Sequence, residues 1–62
     1  MKRTKLIKYL RNNNCFLLRE GSKHSVYENK LNGKEATVPR HSEIGNIIAN
    51  KICKDLDIPE IN

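Results

Sequence analysis

The stretch Lys23–Val38, KHSVYENKLNGKEATV, decides the fold. Its first half alternates with period two, placing His24, Val26 and Glu28 on one side and Lys23, Ser25 and Tyr27 on the other. Such alternation predicts a strand with two unlike faces. Asn32-Gly33 is a hairpin signal, because both residues accept the positive φ that a reversal demands. The loop from Asn29 to Lys34 is nevertheless longer than the tightest turns. Glu35-Ala36-Thr37-Val38 reads as the returning strand, and Pro39, with no N–H to offer a ladder, closes it.

On the N-terminal side, Cys15–Glu20 is a short run bounded by Asn12-Asn13-Asn14 and by Gly21-Ser22, and its length and punctuation favour a strand. Before it, Leu6, Ile7, Tyr9 and Leu10 have the spacing of an amphipathic helix over Lys5–Arg11, with Thr4 as its N-cap. The asparagines stop that helix, since asparagine competes for local backbone bonds and tolerates a left-handed conformation. On the C-terminal side, Ile44, Ile47, Ile48, Ile52 and Leu56 form one helical stripe. Ser42 is the natural N-cap there, and Glu43 suits the positive helix end. Gly45 in the first turn would cost about 1 kcal/mol if helical, and Pro59 bars continuation.

The expected fold is α+β, a single domain over residues 1–62 in the order helix–strand–strand–strand–helix. The antiparallel three-stranded sheet carries two helices on one face, leaving the other open for function. Alternation puts His24 on the face of Val26. If Val26 belongs to the core, His24 lies under the helices unless the glycine turn or a bulge relaxes the pattern.

A chain of 62 residues buries only about 60% of the surface that its unfolded form exposes, so chemistry should use few residues on an open face. Two cysteines, Cys15 and Cys53, are too few for a disulfide framework and read as small apolar residues. No apolar run approaches a membrane span or a signal peptide, and the chain reads as cytoplasmic. The net charge is +5, and Lys2, Arg3, Lys5, Lys8, Arg11 and Arg19 all precede the first acid, Glu20. A positive half of this kind suits a polyanion such as nucleic acid; the plainer alternative is a solvated basic helix face.

No phosphate loop, carboxylate pair or Cys/His cluster is present, and His24 and His41 have no third ligand nearby, so no metal site is expected. Nothing marks a base or an oxyanion hole for a serine nucleophile. What remains is histidine near basic and hydroxyl groups. RNA carries its own nucleophile, the ribose 2′-OH, so a protein that cuts it needs proton transfer and charge stabilisation. Imidazole and a nearby lysine or arginine provide both. His24 directly follows Lys23 and Ser22, and Gly21 permits a phosphate close to the backbone. By composition alone, a lone strand histidine is more often structural than catalytic.

Gly21-Ser22-Lys23-His24-Ser25-Val26-Tyr27 resembles the signature of the HicA toxin family: a Gly-Ser turn, then histidine, a variable residue, an apolar residue and an aromatic. Thr37-Val38-Pro39-Arg40-His41 resembles the family's strand-ending Thr-Val-Pro-x-His segment, and Ser42-Glu43-Ile44 opens a helix of matching polarity. The resemblance runs from the first helix to Ile58. It implies a fold similar to a double-stranded RNA-binding domain and a metal-independent endoribonuclease, an mRNA interferase needing no cofactor. It also implies neutralisation by a HicB-like antitoxin that covers the active face, with operator DNA contacted only through the antitoxin complex. The family's catalytic histidine falls on His24. Around it, Gly21, Ser22, Lys23, Tyr27, Arg40 and His41 are read as substrate contacts, with a loop or capping role equally open for His41. Tyr27, Lys23 or a water could supply the second proton. The chain departs from the family pattern at Asn14 and Asp57, where glycine is usual, and at Asn46 and Asn50, where basic residues are common.

Two other readings compete. One is a non-catalytic RNA-binding module on the same fold, recognising shape, phosphates and 2′-OH groups. Glu43 at the start of the second helix argues against duplex binding of that kind. The other is a protein-interaction or DNA-regulatory module using the basic first helix or the open sheet face.

Overall fold

The first helix takes its boundaries from backbone partners more than from side-chain caps. In the computed structural model, which describes residues 1–61, α1 spans Arg3–Asn12. Lys2 before it is extended and bridged to Glu43, and the Arg3 N–H donates to the Ser42 carbonyl at 2.9 Å. Thr4 is therefore inside the helix and is not its cap, because an exposed helix donor has already found a partner. The other end follows the sequence: the Asn13 amide donates to the Tyr9 carbonyl at 2.9 Å, and Asn14 takes φ 65°.

The three strands β1 (Cys15–Glu20), β2 (His24–Asn29) and β3 (Glu35–Pro39) form an antiparallel meander in the order β1-β2-β3. In the β2–β3 loop, Gly33 has φ 78° and its N–H returns to the Asn29 carbonyl at 2.8 Å. The Asn29 side chain is buried but satisfied, accepting from the Leu31 N–H and donating to the Leu56 carbonyl. It thus ties the hairpin to the end of the second helix.

That second helix, α2 (Asn46–Asp55), starts later than Ser42 and Glu43 predict. Residues 42–44 pair with the N-terminal segment instead, Glu43 bridging Lys2 and the Ile44 N–H donating to the Met1 carbonyl at 2.8 Å. Backbone committed to that pairing cannot begin a helix. Gly45 is consequently the extended N-cap, and the helical penalty expected of it does not arise. At the far end Asp57 adopts φ 58°, the Asp57 N–H bonds to the Lys54 carbonyl and the Ile58 N–H to the Cys53 carbonyl. This is a Schellman closure with aspartate where glycine is usual.

Both helices cover one sheet face. Leu6 and Leu10 of α1 and Ala49 and Ile52 of α2 meet Cys15, Tyr27, Ala36 and Val38 of the sheet, with Ile44 and Leu56 completing the core. The predicted isoleucine stripe is split between core and solvent. Ile52, Leu56 and Ile44 are buried, but Ile47 is 85% exposed and Ile48 45% exposed, while Ala49 and Cys53 face inward. The late helix start explains this, since Ile44 packs from outside the helix and no longer sets its angular phase. No helix among the described residues is long and apolar enough to cross a membrane.

Candidate active site

Residues at the β1–β2 turn sit close because glycine lets them. The Gly21 N–H donates to the His24 carbonyl at 2.8 Å, and a Cβ on Gly21 would stand 3.1 Å from that oxygen. The space that the sequence offers to a phosphate is therefore taken by the chain's own backbone. Ser22 and Lys23 form the exposed tip.

His24 opens β2 and lies on the helix-free face. Its register partner is Pro39 at the end of β3. Val26 shares that face, being the partner of Arg19 and Thr37 and no member of the core cluster. Val26 is only 8% exposed, and beside it Arg19 of β1 and Glu35 of β3 pair across the sheet at 3.7 Å. The conflict between a buried Val26 and an accessible His24 is resolved without breaking alternation. The bulge lies in β1, between Leu17 and Arg19.

Five of the seven residues expected at the site come together. Ser22, Lys23, His24, Arg40 and His41, with Pro39, line an open cleft of ≈ 410 Å³. Gly21 forms its backing turn. Tyr27 is the exception: it is 5% exposed, belongs to the helix-covered core and is separated from His24 by the sheet itself. An odd offset of three residues along β2 places the two on opposite faces. Neither substrate contact at this cleft nor proton donation there is open to Tyr27.

Arg40 is placed at the cleft but its donors point into the turn. The guanidinium bonds to Glu20 Oε1 through Nε (3.1 Å) and Nη2 (2.8 Å), to the Ser22 carbonyl through Nη1 (3.1 Å), and to the Gly21 carbonyl. Behind it the Ser25 hydroxyl, 1% exposed, donates to the same Glu20 oxygen at 2.8 Å and accepts from Arg3 Nη2 at 2.9 Å. Arg3 Nε also donates to the Pro39 carbonyl at 2.8 Å. The Ser25 hydroxyl first, and then the Arg40 guanidinium, hold the Glu20 carboxyl below its ordinary pKa.

Sequence reading missed Arg3, Glu20 and Ser25. In the sequence Arg3 is one of six basic residues ahead of the first acid, and the only signal pointing to the network is the alternation that puts Ser25 opposite His24. His41 stands in the exposed segment after β3. Among the described residues no three His, Cys, Asp or Glu side chains cluster as metal ligands would.

The cleft thus gathers an exposed imidazole, a second imidazole and a lysine on a turn that is clamped from behind. Such a set can exchange protons and stabilise an anion. No curated protein and no solved structure matches this chain. A family model does: the one described as HicA toxin of bacterial toxin-antitoxin matches residues 3–58, a span that includes the clamped turn and both histidines. The chain belongs to the HicA toxin family.

Proposed function

We propose that this toxin is a metal-independent endoribonuclease that cleaves mRNA in the cytoplasm, with His24 as the proton-transfer group. The observation that carries the reading is an exposed His24 at the mouth of a cleft shared with Lys23 and His41. The ribose 2′-OH attacks the adjacent phosphorus, forming the O2′–P bond as the P–O5′ bond breaks. A base takes the 2′ proton and an acid returns one to the departing O5′, leaving a cyclic phosphate and a 5′-hydroxyl. His24 serves one of these transfers and His41, Lys23 or a water the other. Lys23 stabilises the charge on the phosphorane. Ser22 and the Gly21 turn shape the floor, and Arg40 holds that turn in place. A HicB-like antitoxin restrains the toxin by covering the cleft, and operator DNA is met only through that complex.

The test is cleavage of RNA by purified protein with and without EDTA, beside a His24→Ala variant. Cutting should survive the chelator and disappear in the variant. Equal cutting by both proteins overturns the role of His24. Binding without cutting by either favours the non-catalytic RNA-binding module.

A further inference from the structure

Charge is distributed unevenly between the two sides of the sheet. On the open face the ions are paired: Arg19 with Glu35 at 3.7 Å and Lys30 with Glu28 at 2.7 Å. Phe16, opposite Glu28, adds an exposed apolar ring. A phosphate chain crossing that face would pass two carboxylates and meet no uncommitted cation between Phe16 and His24.

The helix side differs. A groove of ≈ 500 Å³ runs along α1, walled by Arg3, Lys8, Arg11 and Asn12 and floored by Ile7 and Tyr27. Among the described residues neither Lys8 nor Arg11 has a carboxylate partner, and both are exposed. The groove follows α1 for about 15 Å, the length of ten helical residues. Its near end meets the cleft round the end of the sheet, where Arg3, which lines the groove, donates to the carbonyl of Pro39, which lines the cleft. The floor has no deep aromatic slot, since Tyr27 is 5% exposed, and its accessible apolar surface comes from the half-buried Ile7. A protein partner would want a buried anchor there, whereas a phosphate backbone wants only the cations and the amide.

We propose that RNA reaches the His24 cleft along α1, its phosphates held by Lys8 and Arg11 in this groove and not on the open sheet face. The inference rests on RNA being the substrate of the cleft. It makes Lys8 and Arg11 binding residues with no part in the bond-breaking step.

The experiment uses the full chain carrying His24→Ala, so that binding is read without cutting, and a fluorescein-labelled oligouridylate as the probe. Affinity is measured against salt concentration for this parent, for K8Q/R11Q and for the charge-matched control K34Q/K54Q. Loss of two phosphate contacts should flatten the slope of log K against log salt by about 1.4, at about 0.7 per contact on a single strand. The control should keep the parent slope. An unchanged slope in K8Q/R11Q, or equal flattening in both pairs, overturns the proposal. So does polyglutamate binding that depends on Lys8 and Arg11 when oligouridylate binding does not. With His24 restored, K8Q/R11Q should raise KM and leave kcat unchanged, and cutting with both constants unaltered sinks the groove alone. If the wild type binds oligouridylate with the expected slopes yet never cuts RNA, the endoribonuclease reading fails and the groove stands.

Discussion

Arg40 and Glu20 meet twice on one oxygen: Nη2 lies 2.8 Å and Nε 3.1 Å from Oε1, which also receives the Ser25 hydroxyl. The pair joins the end of β1 to the residue just after β3, and the turn that carries His24 lies between them. Arg40 also grips carbonyls of that turn. A surface ion pair alone is worth little. Here the planar fork matters through the geometry it imposes on Gly21–His24.

Arg40→Ala is therefore expected to lower kcat for RNA by up to about 10²-fold, the scale of a small misplacement of a reacting group. Arg40→Lys should fail to rescue it, because an ammonium cannot bridge the carboxylate and two carbonyls at once. Lys23→Ala should also lower kcat, because the phosphorane charge that Lys23 stabilises develops only in the transition state. Rescue by lysine, or an effect of Arg40→Ala confined to KM, would show that Arg40 contacts the substrate directly.

Glu20 sets an acid limit on the turn. Its pKa is lowered in the fold from 4.5, so the stabilisation is complete above that value and is lost as pH falls through the lower folded value. Thermal melts of the wild type should lose ground to Glu20→Gln as pH drops below 4.5. A constant difference between the two proteins across that window would contradict the linkage.

Two isoleucines of one helix should behave oppositely. Ile52 is 3% exposed, and Ile52→Ala should cost about 2–5 kcal/mol, a large share of the roughly 3–9 kcal/mol available to a chain of this size. Ile47 is 85% exposed, and Ile47→Ala should stay within about 0.5 kcal/mol. Urea midpoints of the two variants measure the contrast. Equal losses would return Ile47 to the core.

The thiols should be sluggish. Burial pushes up the pKa of both Cys15 and Cys53, and both are fully covered. Since the thiolate is the nucleophile, alkylation by iodoacetamide near neutral pH should be slow in the native protein and fast after denaturation. Labelling of either cysteine at the rate of a free thiol would show that its cover opens readily.

Much of the architecture was legible because it depends on near neighbours. Asn14 takes a left-handed conformation at a helix end, Gly33 turns the hairpin, and alternation from His24 to Glu28 assigns two faces. Each follows from a residue's own torsional and hydrogen-bonding preferences. His24 stood out by a different route, the resemblance of the Gly21–Tyr27 motif to the HicA signature, since period and composition alone favour a structural histidine there.

What tertiary structure alone decided lies across the chain. It assigned Val26 and His24 to the helix-free face, Tyr27 to the core, and Ile47 to solvent. It also turned Arg40 inward and joined Arg3, Ser25 and Glu20 into one chain of hydrogen bonds. The physical reason is that these contacts need strand register and helix packing to bring distant residues together. Local sequence sets the torsions and periodicities; only the assembled sheet and helices determine which side is covered and which donors are already spent.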